Sequence, residues 1–232
     1  MLLFWQTAFY QPLFNLLVFV YGLVGDMGIA IIVLTVLLKL IMYPLSQKTL
    51  KSQLALQKLQ PQVAKLRQQY SGDKQKISRE LMALYSREKV SPFSSCLPLI
   101  IQLPFLIALY QVFLSGLESS DLNLIYGFIA NPGHLADTFL GIWSLAKPNW
   151  IIAVITGLTQ YWQAKMIIPN QSTTKIMGDD LAANMSKQAL YIMPVITIIF
   201  GLSLPAGLML YWLVNTLLTI GQQYLTIKKH AA

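Results

Sequence analysis

The chain has 232 residues, 55% of them apolar and only 11% charged, where a soluble domain carries about a quarter charged residues. So little charge could not keep a soluble domain of this length dispersed, which excludes a cytosolic enzyme and a nucleic-acid module and leaves a membrane protein. The net charge of +8 must then be read by location, and the single cysteine, Cys96, permits neither an internal disulfide nor a thiol cluster for a metal.

In chain order, residues 1–27 hold no basic residue and are rich in aromatics: Phe4, Trp5, Phe9, Tyr10, Phe14, Phe19 and Tyr21. Gln6, Gln11, Pro12 and Asn15 interrupt the apolar run, which suits an amphipathic segment along the outer headgroups; a sixth crossing is the alternative. Nothing around Met1 reads as a removable secretory signal. A hydrocarbon core about 30 Å thick takes about 20 apolar residues in a helix. Runs of that kind predict five spans, at 28–46, 93–115, 150–168, 188–204 and 205–225. The last two are separated only by the turn around Leu204, Pro205, Ala206 and Gly207. The outer loop 116–149 reads as irregular with one short surface helix, 169–187 as a cytoplasmic loop and 226–232 as a cytoplasmic tail.

The insertion 47–92 is the markedly polar part. Leu56, Leu59, Val63, Leu66 and Tyr70, then Ile77, Leu81 and Leu84 around the turn Ser71, Gly72 and Asp73, give two helices with narrow apolar seams, hence an antiparallel hairpin. Pro61 predicts a bend or break midway along the first arm. Ten of the 17 Lys and Arg fall in this insertion, among them Lys58, Lys65, Arg67, Lys74, Lys76 and Arg79, the residues expected to meet partners on the cytoplasmic side. With Lys165, Lys175, Lys187, Lys228 and Lys229, fifteen basic residues share one side if there are five spans, against Lys147 alone on the other. Basic residues are retained on the cytoplasmic side, so the N-terminus is predicted outside and the C-terminus inside.

Polar residues inside spans are the informative ones. Thr35, Lys39, Tyr43 and Ser46 share one face of the first span, Thr156, Gln160 and Gln163 one face of the third, and Trp212, Asn215, Thr219 and Gln222 one face of the fifth. One such residue commonly serves as interhelical glue. Three stripes together predict a water-accessible hollow, because amides and hydroxyls facing lipid tails cost several kcal/mol. Lys39 is the sharpest candidate. A charge at mid-span costs at least about 2.5 to 3.5 kcal/mol, no Asp or Glu lies in any predicted span, and the opposing reading is a lysine that snorkels to the nearer interface. The two histidines, His134 and His230, stand away from any ligand set, no serine has a nearby base, and no phosphate-binding glycine loop occurs. No enzymatic activity and no cofactor are expected.

The stretch CLPLIIQLPFLIALYQVF from Cys96 to Phe113 resembles the second core span of the YidC/Oxa/Alb membrane protein insertases. GIAIIVLTVLLKLIMYPLSQKTLKSQLALQKLQP resembles their first core span running into the basic hairpin, and LPAGLMLYWLVNTLLTIGQQY their last. The resemblance covers nearly the whole chain, in the short bacterial form without a large periplasmic domain. It implies an all-α polytopic membrane protein with five spans around a hydrophilic groove, which inserts and folds nascent membrane proteins. It also implies membrane lipids, the Sec translocon and the ribosome as further partners, and no DNA. The groove's basic residue, usually arginine in the family, matches Lys39, with Gln163 and Trp212 as further groove positions. A short basic tail departs from the long one of many members. A small anion or lipid transporter and a structural assembly factor are the alternatives, separable by crosslinking from Lys39.

Overall fold

The computed structural model describes residues 2–91, 97–115, 124–167 and 188–231. The expectations for Cys96, for 93–96 of the second span, for 116–123 of the outer loop, and for the loop 169–187 with Lys175 and Lys187 lie outside the described residues.

The described chain is mainly helical. Helix α1 (Leu2–Trp5) passes through a π-helical turn, Gln6–Tyr10, into α2 (Gln11–Val24), which ends where Gly25 takes a left-handed conformation, φ 71°. Asp26 then opens α3 (Met27–Ile41): its extended backbone lets the carboxylate accept from Ile29 N at 2.9 Å, satisfying one of the unpaired donors of a helix start. α4 (Tyr43–Gln69) and α5 (Lys74–Arg87) form the hairpin, joined through the turn at 70–73, with Asp73 capping α5 through Lys76 N. α6 (Leu97–Ser115), α7 (Trp150–Ile167), α8 (Met193–Gly201, preceded by the π-turn Gln188–Ile192) and α9 (Ala206–Ala231) complete the chain.

α3 and α4 meet at a bend of 68° at Met42. Pro44 accounts for it: a proline at the first turn of α4 has no N–H to continue the helix from α3, and its ring crowds the carbonyl of Leu40. α4 does not break at Pro61, since it runs continuously from Tyr43 to Gln69. Pro61 is exposed, so water can take up the carbonyl it leaves unpaired. The hairpin packs by its narrow seam, with Leu59, Val63 and Leu84 buried.

Contacts fix the helix directions. α6 runs antiparallel to α9, with Gln102 against Tyr211 and Asn215 at one end and Phe113 over Gly207 at the other. α7 runs antiparallel to α8, since Ala153 meets Gly201 and Gln160 meets Thr197. α3 and α9 run the same way, because the ribbon segment meets the starts of both, Phe139 at Gly28 and Leu145 O at Gly207 N, and Lys39 near the end of α3 pairs with Thr219 further along α9. Glycines permit the closest approaches: any Cβ on Gly157 would strike Ile198, and any on Gly207 would strike Phe113. One apolar core unites these elements through Phe14, Leu17, Ile31, Leu34, Leu109 and Met209, all fully buried.

Two elements differ from the sequence reading. The outer loop, expected to be irregular with a short helix, holds in its described part a two-stranded antiparallel ribbon, β1 (Thr138–Phe139) with β2 (Trp143–Ser144). α9 continues through the expected tail to Ala231. The N-terminal segment buries Phe14, Leu17 and Val18 in the core. Among the described residues, Gln6–Val24 is the one helix long and apolar enough to cross a membrane alone; α3 and α4 pass that test only as a bent pair, and Ile100–Phe113 and Leu190–Gly201 are shorter apolar helices.

Candidate functional site: a polar seam along the last helix

α9 carries Tyr211, Asn215, Thr219, Gln222 and Thr226 at steps of four, four, three and four, which is one helical face. Each meets a polar partner on a neighbouring helix. Tyr211 accepts a hydrogen bond from the side chain of Gln102 on α6, and Asn215 donates to Gln102 Oε1 at 3.1 Å. Lys39 Nζ, from the last turn of α3, donates to Thr219 Oγ1 at 2.7 Å. Gln222 Nε2 donates to Ser46 Oγ at 3.1 Å and to Gln47 Oε1 at 3.0 Å, while Gln47 Nε2 donates to Thr226 Oγ1 at 2.9 Å. The result is a continuous polar seam through an otherwise apolar bundle.

Lys39 is half-buried, and no carboxylate pairs with it among the described residues. Thr219, which accepts from Lys39, donates its own proton to Asn215 O at 2.7 Å. The lysine is thus oriented by a hydroxyl whose donor is already engaged, and its remaining N–H donors are open to other acceptors.

The other expected residues sort by element. Thr35 is buried and donates to Ile31 O on its own helix at 2.6 Å, and Tyr43 is exposed at the bend. Trp212 and Gln163 are half-buried. The stripe on α7 faces different neighbours: Thr156 donates to Ile152 O and reaches Met209 O at 3.4 Å, and Gln160 Oε1 accepts from Thr197 on α8 at 2.5 Å. Gln160 therefore joins α7 to α8 and does not meet Lys39. On the hairpin, Lys58, Lys65, Lys74, Lys76 and Arg79 are exposed, Arg67 is half-buried, and Lys76 also lies over the Tyr70 ring at 4.6 Å.

Sequence reasoning missed Gln47, Gln102, Tyr211 and Thr226. Tyr211 and Thr226 extend the α9 stripe by one turn at each end, and that periodicity was a readable signal. Gln102 stands alone among apolar residues from Leu97 to Leu109, so it belongs to no stripe on its own helix. Gln47 was assigned to the solvated hairpin, although the bend turns it back against α9.

The end of the bundle at the starts of α3 and α9 is held by different contacts. Asp26 Oδ2 accepts from Leu140 N at 2.6 Å, and any Cβ on Gly28 would collide with Phe139. Lys147 O and Leu145 O accept from Ala206 N and Gly207 N at 3.0 and 2.9 Å, so the segment before α7 caps the start of α9. The same loop runs along α2: Asn15 donates to Leu124 O and accepts from Tyr126 N, and Tyr21 Oη accepts from Ala136 N.

Residues 19–232 match the sequence profile of the family described as 60Kd inner membrane protein. The chain belongs to that family. Among curated 60Kd inner membrane protein relatives, a protein of Lawsonia intracellularis named membrane protein insertase YidC is 37% identical over 223 residues, covering 94% of this chain and 38% of its own length. A protein of the same name from Fusobacterium nucleatum is 35% identical over 208 residues, which are 90% of this chain and 89% of that protein. The chain thus spans about two-fifths of the first of these relatives and nearly all of the second. A crystal structure titled as an active YidC insertase with its first transmembrane domain resolved matches with a TM-score of 0.63 at 28% identity, covering 95% of this chain and 46% of that one.

Proposed function

We propose that the chain is a membrane protein insertase: it receives a short polar flank of a nascent membrane protein at the seam centred on Lys39 and releases the adjoining hydrophobic segment into lipid. The observation that carries this reading is a cationic side chain held on a polar seam of an apolar bundle, with Thr219 and, among the described residues, no carboxylate as its partner. A charge so placed costs several kcal/mol unless something compensates it, and an acidic client flank is the compensating charge. The names of the relatives agree with this reading.

The reading includes five crossings at 28–46, 93–115, 150–168, 188–204 and 205–225, with the N-terminus outside. The alternating directions of α6 against α9 and of α7 against α8, and the common direction of α3 and α9, support it. α7 and α9 fall short of the apolar test for spans because Gln160 and Gln163, and Asn215 and Gln222, lower their hydropathy. The segment 1–27 lies along the outer face: side chains from Gln11 to Tyr21 bind the backbone of the outer loop over ten residues. A loop following a crossing helix that far would itself enter hydrocarbon with unpaired backbone groups.

Entry follows from these parts. The exposed lysines and arginines of the hairpin meet the emerging client and the ribosome or translocon that delivers it. The flank exchanges hydrogen bonds with seam amides and hydroxyls, which lowers the cost of bringing its polar backbone into the membrane. The hydrophobic segment passes along the exposed apolar face of α6 at Ile100, Leu103 and Ile107 and moves into lipid, driven by removal of apolar surface from water. The outer loop stops the flank. Depletion of the protein followed by a survey of membrane proteins tests the reading: an insertase leaves a set of clients uninserted, whereas loss of one solute flux or of one stable complex would replace it with a transporter or an assembly factor.

A further inference from the structure

The ribbon of β1 and β2 carries apolar side chains on its exposed side. Leu140, Ile142 and Trp143 are 61%, 77% and 42% exposed, and no charged residue occurs from Thr138 to Ala146. The turn itself is strained. Ile142 N donates to Phe139 O at 3.1 Å across Leu140 and Gly141, whose φ angles are 52° and 68°. Two successive positive φ angles in a tight hairpin suit Asn-Gly, and a bulky side chain takes the first of them against steric resistance. A leucine here adds apolar surface to the tip at a position where a polar residue would fit the backbone better.

The contacts of the ribbon fix its level on the bundle. Phe139 packs against Gly28, the second residue of α3, and Leu140 N donates to Asp26, the cap of that helix, at 2.6 Å. Leu145, fully buried, holds the start of α9 through Gly207 N. The ribbon therefore runs beside the first turns of α3 and α9 and not beyond their ends. α7 begins at the same end, since Lys147 O, just before it, accepts from Ala206 N. Its first residue, Trp150, heads an exposed apolar face with Ile151, Ile155, Leu158 and Trp162. In a bundle that crosses the bilayer such a face is covered by lipid, and the helix ends lie at the depth that aromatic rings prefer.

We propose that the ribbon tip, Leu140 to Trp143, is a lipid anchor that enters the headgroup and upper acyl region of the outer leaflet and holds the starts of α3 and α9 at a fixed depth. This rests on the crossings proposed above. Immersion removes from water the apolar surface that the fold leaves uncovered. Leu140 N and Ile142 N already have acceptors, so the tip does not carry these two donors bare into the interface.

The test uses the Cys96→Ser chain in lipid discs of phosphatidylethanolamine and phosphatidylglycerol, with a nitroxide on one introduced cysteine at a time. Ile142→Cys reports the tip, Asn131→Cys an exposed polar position of the same loop, and Leu158→Cys the apolar face of α7. Collision with oxygen, which concentrates in lipid, is compared with collision with a water-soluble nickel chelate. The ratio of oxygen to nickel collision at residue 142 should exceed that at residue 131 several-fold and approach that at residue 158. A ratio at 142 equal to that at 131 would place the tip in water and overturn the anchor. Shielding of 142 from both reagents would mean a protein cover, from a second copy or another subunit, and would overturn it as well. Trp143→Cys gives the same comparison if the label at 142 disturbs the turn. A water-like ratio at residue 158 would contradict the crossing of α7 on which the anchor rests, so the two failures are told apart.

Discussion

Replacing Lys39 by Ala removes the one cation of the seam and should separate clients by the charge of their flanks. A carboxylate brought to about 4 Å from the ammonium in surroundings of effective dielectric about 20 is attracted by about 4 kcal/mol. Desolvation of both groups offsets part of this, leaving about 1.5 to 3 kcal/mol, the usual net contribution of a hydrogen bond to a charged group. Lys39→Ala should thus reduce insertion of a client with one Asp in its flank by about 10- to 100-fold. A neutral flank loses one donor among several and should be affected far less. The fold should tolerate the change, because Thr219 still donates to Asn215 O at 2.7 Å and is left with a spare acceptor only. Lys39→Arg should retain insertion and Lys39→Glu should repel acidic flanks. The assay is protease protection of a client tail carrying zero, one or two Asp residues, in vesicles with each variant. Equal insertion of all three tails by Lys39→Ala and the unmodified chain would refute the reasoning and leave Lys39 a snorkelling residue.

With Cys96 replaced by Ser, a cysteine at Ser71 should label only from the cytoplasmic side and one at Ala130 only from outside; the reverse pattern would end the five-span topology. The hairpin, with ten basic against three acidic residues between Gln47 and Pro92 and hence a net +7, should give association with ribosomes or anionic vesicles that weakens as salt rises. Association of the chain in neutral-lipid discs that ignores salt would count against a role for those charges. Asp26→Ala should lower stability in detergent by about 1 to 2 kcal/mol, since it removes both the cap on α3 and the acceptor for Leu140 N; an unchanged thermal midpoint would show the outer closure to be held elsewhere.

How far the sequence could be read depended on where each signal resides. α7 appeared at nearly its full bounds and the hairpin turn at Ser71 to Asp73 was visible, because apolar period and turn residues are local. The α9 stripe was legible for the same reason. Gln102 was not, since a lone amide acquires meaning only through Tyr211 and Asn215 on another helix. Two prolines show the limit of a local rule: Pro44 stands at a 68° bend while Pro61 is absorbed within a continuous helix, and the difference is one of surroundings. Gln160 shared the spacing of a groove residue but faces Thr197. Helical period gives the face and cannot say which neighbour covers it.

The most direct measurement is insertion by the chain alone. The full chain, purified and placed in lipid vesicles without nucleotide, is mixed with a client bearing one hydrophobic segment and a short acidic flank, and the protected flank is quantified after protease treatment. The account predicts protection that rises with the amount of chain and falls when Lys39 is replaced by Ala. Protection no greater than in empty vesicles would contradict it.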